Sequence, residues 1–242
     1  MTTFPIALEQ PDVPRRRYGR RLAAISAVDV ARRVLNVTLA LVALIVALPL
    51  LAIIAIAVKL SSPGPVFYSQ TRVGLNRRRL LPWGKRYRST DFGGKPFTIF
   101  KFRTMRVNGE TRGPDEPGQV WATPDDPRVT RIGRILRFYR LDELPQLVNV
   151  LLGDMDIVGP RPEQPAIFTQ LRDQIPGYQA RQRVRPGITG WAQINQHYDS
   201  SIDDVRRKLA FDLEYLGRRS LTEDVRIMLR TLPVVAGKFG AW

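Results

Sequence analysis

The sequence predicts an α+β protein, mostly helical, with one apolar membrane segment joined to a globular domain. Three observations point there. Twenty consecutive residues, Leu39 to Val58, carry no charge. Helix-period apolar patterns dominate the second half of the chain, while only short stretches alternate like strands. The chain is 242 residues long with 44% apolar residues, enough for one core plus an appendage.

Charge and composition narrow the chemistry. The formal net charge is +16, which implies an anionic partner such as nucleic acid, anionic lipid or a phosphorylated substrate. No cysteine is present, so disulfides are excluded and a cytoplasmic setting fits. With no cysteine and a single histidine, His197, a zinc site is not expected. Any metal should be a hard, oxygen-bound ion such as magnesium.

In chain order, residues 1–28 are polar, proline-bearing and basic, and are expected to form a disordered or surface-bound segment. Residues 29–62 form the membrane segment. At 1.5 Å per residue, the twenty uncharged positions cover about 30 Å, one bilayer core. Pro49 lies near the middle and frees the carbonyl of Ile45, which predicts a kink. Both flanks are basic: Arg15, Arg16, Arg17, Arg20, Arg21, Arg32 and Arg33 before the segment, Lys59, Arg72, Arg77, Arg78 and Arg79 after it. The positive-inside rule asks both to stay on the cytoplasmic side. A kinked helix that enters and leaves by one face satisfies it, but helix physics alone leaves re-entrant and spanning topologies equally open.

Residues 63–242 form the third region. Ser61 to Pro65 ends the apolar helix, and Val66-Phe67-Tyr68 opens a strand. Residues 74–95 are read as a basic loop and 108–126 as another. Pro96 to Met105 alternates as a strand, with Phe97, Ile99 and Phe102 on one side; Lys101 and Arg103, two residues apart, share one side of it. Arg128 to Arg140 is an amphipathic helix with Ile132, Ile135, Leu136 and Tyr139 on one face. Arg131, Arg134, Arg137 and Arg140 spread over the rest, mostly as a solvated face, with one or two free to meet an anion. Gln146 to Leu152 is a short apolar helix closed by Gly153. Ser201 caps a helix to Leu216, with Ile202, Val205, Leu209, Leu213 and Leu216 on one side. Thr222 caps a last helix carrying Val225, Met228, Leu229 and Leu232, stopped by Pro233. These last helices can pack on a core or lie on a bilayer surface, and the pattern does not separate the two.

The chemistry centres on Asp142 and Glu143. Adjacent side chains on a helix diverge by roughly 100°, so the pair is expected to divide labour. One carboxylate attacks phosphorus to give an acyl phosphate, and the other binds metal or handles a proton. The plain alternative is that Asp142 caps the helix ahead of Pro145. Gly159-Pro-Arg-Pro162 presents Arg161 from a stiff turn, and Arg185 to Trp191 presents Arg185 and Thr189 from another. Stiff turns lower the ordering cost of gripping a diphosphate. Asp154-Met-Asp156 allows a competing reading, the paired-acid metal clamp of nucleotide-sugar glycosyltransferases, but no nucleotide-binding αβ repeat precedes it.

Together these motifs resemble the bacterial sugar transferase family, the monotopic phosphoglycosyl transferases, from about Arg32 to Pro233. The resemblance rests on Ser62-Pro-Gly-Pro-Val-Phe67, Gln70-Thr-Arg-Val-Gly74, Lys101-Phe-Arg-Thr-Met105, Thr130-Arg-Ile-Gly-Arg134, Leu141-Asp-Glu-Leu-Pro-Gln-Leu147, Val158-Gly-Pro-Arg-Pro-Glu163 and Val184 to Gln193. It implies transfer of a phosphosugar from a nucleoside-diphosphate sugar, usually a UDP-sugar, to a polyprenol phosphate in two steps, with magnesium. Asp142 matches the nucleophile and Glu143 the adjacent, metal-linked acid. Lys101, Arg103, Arg134, Arg161, Arg185 and Thr189 match phosphate- or substrate-binding positions, and Asp212 matches a further acid at the metal site. The resemblance also implies a re-entrant helix-hairpin around Pro49, interfacial amphipathic helices and a cytoplasmic active site on the bacterial inner membrane. Some members place serine before that proline where this chain has Leu48, and Asp156 stands where a small polar residue is common. Larger members carry extra membrane helices first, so the chain is expected to match the small catalytic-core form.

A membrane-tethered binder of anionic lipid or nucleic acid, without catalysis, accounts for the charge equally well. The chain has no recognition-helix or RNA-binding signature, so a nucleic-acid partner is not expected. That reading also leaves the acid pair unexplained.

Overall fold

The computed structural model describes residues 27–76, 93–107, 126–196 and 201–236. All of the expected N-terminal segment but residues 27 and 28, which are helical, most of the two expected loops and His197 lie outside these residues. Among the described residues the chain is mostly helical, with two small two-stranded sheets.

Helix α1 (Ala27–Ser61) has the length and apolarity to cross a membrane. The helix continues past Pro49, so no loop divides it into the two arms of a hairpin. Arg32, Asn36, Ala40, Ile54 and Val58 are buried, and Ala43, Leu44, Leu51 and Ala55 pack beside them on the domain. These positions recur every three or four residues, so one stripe of the helix rests on the domain from end to end. The opposite side exposes Leu41, Val42, Ile45, Val46, Leu48, Ile53 and Ile56.

Polar contacts lock both ends of that stripe. Arg32 Nε donates to Asp224 Oδ2 at 2.7 Å, with both residues buried. Asn36 Oδ1 accepts from the Ile157 amide at 2.6 Å. Arg33 donates to the carbonyls of Val150 and Leu151, closing the last turn of a neighbouring helix. At the other end Arg103 donates to the carbonyls of Val58, Ser62 and Pro63.

Strand β1 (Phe67–Val73) pairs antiparallel with β2 (Pro96–Phe102). Phe97 and Ile99 face the cluster of Ala40, Leu147, Val150 and Met155, as expected. Phe102 does not share that side. It is an odd number of residues from both, so the two-residue period turns it to the other face. There it packs with Ile54, Val58 and Leu136 and stacks on Phe67 at 5.3 Å.

Helix α2 (Arg131–Phe138) starts at Thr130, whose Oγ1 accepts from the Gly133 amide at 2.8 Å. Its expected apolar face is only half used. Leu136 is buried, but Ile135 and Tyr139 are about half exposed. Helix α3 (Gln146–Leu152) matches the expected span, and Gly153 closes it at φ 82°. Strands β3 (Asp156–Val158) and β4 (Gly187–Thr189) pair in parallel. A Cβ on Gly159 would meet the Arg185 carbonyl, and one on Gly187 would meet the Gly159 amide. The two expected stiff turns thus pack backbone on backbone, where only glycine fits.

Helices α4 (Pro165–Gln174), α5 (Trp191–Asn195), α6 (Ile202–Arg218) and α7 (Leu221–Ala236) complete the domain. Ser201 caps α6, as expected, through the Asp204 amide. Ser220, not Thr222, accepts from the first turn of α7, and Pro233 lies inside that helix rather than ending it. The side of α7 toward the core carries Ile227, with Val158, Trp191 and Tyr215 around it. Val225, Leu229 and Leu232 point outward instead, at 42, 62 and 66% exposure.

Candidate active site

Arg140 ends the α2 segment in the left-handed region, at φ 54°. A non-glycine residue is uncommon there, and such a conformation marks a place where the fold over-determines the backbone. It turns the chain into a short 3-10 turn, Leu141–Glu143, that carries both acids. Helix α3 then starts at Pro145 without a side-chain cap, so Asp142 does not serve as its cap.

The two carboxylates have different surroundings although each is 8% exposed. Lys101 Nζ reaches Glu143 Oε1 at 2.8 Å. Arg161 spans both Glu143 oxygens, at 2.6 and 3.3 Å. Burial alone would lift the Glu143 carboxyl, but Arg161 and Lys101 outweigh it and hold the group well below the usual carboxylate range. Asp142 has no side-chain hydrogen bond or ion pair among the described residues. Burial lifts its carboxyl above the ordinary range, against the opposing pull of Lys101, and the charge of Glu143 adds to the rise. One acid is thus clamped and ionised, while its neighbour is unclamped, desolvated and surrounded by cations.

The expected cations sort into two groups. Lys101 and Arg161 come to the acid pair. Arg103 does not: its guanidinium serves the C-terminus of α1, because a strand that ends at Phe102 no longer holds the next side chain to the strand's alternation. Arg134 lies on the exposed side of α2. Arg185 turns to the Gly153 carbonyl at 3.1 Å and to Asp156 at 3.7 Å. Thr189 Oγ1 bonds Thr231 Oγ1 at 2.8 Å. It lines a cleft of about 270 Å³ that Glu143 also lines.

The sequence left one cation undistinguished among its neighbours. Arg137 is close enough to lower the Asp142 carboxyl, and its Nε is anchored on Thr104 Oγ1 at 2.9 Å. The helical repeat named four arginines and could not choose among them. The conformation of Arg140 had no sequence signal at all. Asn149 was missed too. It is fully buried and bonds one edge of β2, accepting from the Phe100 amide and donating to the Thr98 carbonyl.

Asp212 belongs to a separate buried network. Arg181 pairs with it at 2.8 Å and with Glu163 at 3.1 Å, and Lys208 reaches Glu163 at 2.7 Å. The Arg181 NH2 group also donates to the Arg161 carbonyl, so this network supports the turn that aims Arg161 at Glu143. The expected magnesium does not fit these residues as a resident ion. Both Glu143 oxygens are taken by cations, Asp212 is paired with Arg181, and no group of three candidate ligands gathers among the described residues. The paired-acid clamp at Asp154 and Asp156 dissolves as well. Met155 between them is core, Asp154 faces Lys95, and Asp156 is buried among Arg185, Arg219 and Arg33.

Comparison with known proteins places these residues in context. The family model of bacterial sugar transferases matches residues 27–238. The chain is 42% identical over 209 residues to a UDP-glucose:undecaprenyl-phosphate glucose-1-phosphate transferase of Caulobacter vibrioides, covering 86% of this chain and 70% of that protein. It is 41% identical over 203 residues to the Escherichia coli protein of the same name, covering 83% of this chain and 39% of the other. A UDP-N-acetylgalactosamine-undecaprenyl-phosphate N-acetylgalactosaminephosphotransferase of Aeromonas hydrophila is 40% identical over 210 residues, covering 87% and 44%. The chain therefore spans less than half the length of the last two relatives.

Proposed function

The chain belongs to the bacterial sugar transferase family, and we propose that it transfers a phosphosugar from a UDP-sugar to a polyprenol phosphate such as undecaprenyl phosphate. The observation that carries the mechanism is the contrast between Asp142 and Glu143. The free carboxylate of Asp142 attacks the phosphorus bonded to the sugar. A phosphorus–oxygen bond of the diphosphate breaks, UMP leaves with the bridging oxygen, and an aspartyl phosphosugar remains. An oxygen of the lipid phosphate then attacks the same phosphorus and expels the Asp142 carboxylate. Lys101, Arg161 and Arg137 surround the place where phosphate charge develops, so they supply the electrostatic stabilisation. Glu143 holds Lys101 and Arg161 in position. No step here passes through magnesium; the expected ion is proposed only as one that arrives with the diphosphate, bound chiefly by substrate phosphates.

Topology follows from α1. A spanning helix puts its ends on opposite sides of an apolar core about 30 Å thick. Here both ends rest on one domain with buried ionic contacts at Arg32 and Asp224. This supports entry and exit by a single face, with residues 63–242 on the cytoplasmic side of the inner membrane and residues 1–28 as a basic flank. The exposed apolar rows of α7 and α2 support contact with the same interface.

Purified protein with a panel of UDP-sugars tests the reading. Release of UMP that disappears in Asp142→Asn, with the melting temperature retained, is the expected result. Full release by that variant rejects Asp142 as nucleophile. Binding of anionic vesicles without UMP release from any donor is the result the non-catalytic reading requires.

A further inference from the structure

The cleft beside Glu143 has a chemistry that the two-step reaction does not explain by itself. Its apolar walls include Leu144, Leu147, Ile188, Ile194 and Val234; Glu143 lines it, as do Arg140, Thr189, Gln193 and Thr231. Lys101 and Arg161 meet at that same carboxylate. Tyr139 lines the cleft at 53% exposure, and the helices on either side of it, α2 and α7, also expose Ile135 and Leu232. The cleft therefore has a mostly apolar body, and at its Glu143 end two cations stand behind the carboxylate. Thr189 and Thr231 bond each other and Gln193 donates to the Ile188 carbonyl, so a nucleotide or a sugar, rich in polar groups, would leave many of its hydrogen bonds unmade along these mostly apolar walls.

We propose that this cleft seats the first isoprene units of the lipid acceptor, the stretch next to its phosphate. The proposal rests on the transferase reading and adds to it a place and a direction of approach. Neighbouring side chains on a helical turn diverge, so Glu143 faces the cleft while Asp142 is not among its lining residues. The acceptor comes from the Glu143 side, and the donor meets Asp142 from elsewhere. The phosphate reaches Lys101 and Arg161 while the tail leaves past Tyr139 toward the exposed apolar side chains of α2 and α7. A cleft of about 270 Å³ holds only a short stretch of the tail, so the rest stays in the bilayer.

Photo-crosslinking tests this without needing turnover. The probe is a polyprenyl phosphate carrying a diazirine on an isoprene unit near the phosphate, added to the full chain in nanodiscs. Labelling of peptides containing Ile194 or Val234, competed by unlabelled polyprenyl phosphate, is the expected result. Labelling confined to the outer side of α1 overturns the proposal. So does competition by UDP-sugar, which would assign the cleft to the donor, or equal competition by ordinary phospholipid. A second arm uses Val234→Trp, which fills the cleft from its edge. Its KM for polyprenyl phosphate should rise about tenfold or more, the effect of losing one residue's apolar contact, with UMP release from the donor less affected. An unchanged acceptor KM in a folded variant refutes the placement. Absence of UMP release in the wild-type protein refutes the transferase reading instead, and it is scored separately from the labelling.

Discussion

Replacing Arg103 by methionine separates what the motif suggests from what the fold does. The resemblance places Arg103 among the phosphate-binding cations, but the structure commits its guanidinium to the carbonyls that end α1. The side chain is 5% exposed and donates to Ser62 O at 2.6 Å, to Val58 O at 3.2 Å and to Pro63 O. Each well-formed bond from a charged donor contributes about 1.5–3 kcal/mol, and carbonyls left buried without a donor add to the loss. The Val58 bond is long and counts for less. Arg103 Nε is buried without a partner, so its removal offsets part of the cost. The net loss works out at about 3 kcal/mol, which in a chain of this size lowers the melting temperature by about 6–12 °C. Thermal unfolding in detergent reads the loss, and UMP release below the melting range reads catalysis. Melting should fall by that amount while turnover per folded molecule stays within about threefold, since Arg103 has no contact with the acids. A variant that melts like the wild type but releases UMP about a hundredfold more slowly would refute the reasoning and return Arg103 to the phosphate site.

Three other outcomes follow from the same contacts. Asn149→Ala removes two hydrogen bonds at the β2 edge and should cost about 2–4 kcal/mol by the same measurement, since the Phe100 amide and Thr98 carbonyl lose their partner. Arg137→Met should lower kcat/KM for the UDP-sugar by about ten- to a hundredfold without a comparable change in melting, because its charge faces Asp142 from an exposed helix. Glu163 is largely shielded from water, which by itself raises its carboxyl, but Lys208 and Arg181 pull it far below the ordinary value. A depressed carboxyl stabilises the fold above its unfolded pKa of about 4.3, and the contribution fades as pH falls below that. The acid side of the melting profile should therefore flatten in Glu163→Gln, and a profile of unchanged slope contradicts the pairing.

Much of the local structure was legible because it depends on local chemistry. The apolar run from Leu39 to Val58, the cap at Ser201 and the glycine closing α3 each follow from neighbouring residues. The acid pair and two of its cations were legible too. What escaped depends on tertiary placement. Which arginine of α2 turns to Asp142 is set by Thr104 on another segment. The row Val225, Leu229, Leu232 reads as a core stripe, yet Ile227 takes the buried position and the row faces out. Helix periodicity shows that an apolar face exists but not what covers it. Pro233 stays inside α7 although proline disfavours the helix interior; the turns before it are held by Ile227 in the core and by the Thr231–Thr189 hydrogen bond, contacts no local pattern shows.

The central claim is a covalent bond between Asp142 and phosphorus. Protein incubated with UDP-sugar in the absence of lipid acceptor, quenched in acid and digested, reports it directly by mass spectrometry. The account predicts a phosphosugar on the peptide that contains Leu141-Asp142-Glu143, discharged when polyprenyl phosphate is added. Lipid-linked product forming while that peptide stays unmodified, or an adduct on another residue, contradicts it.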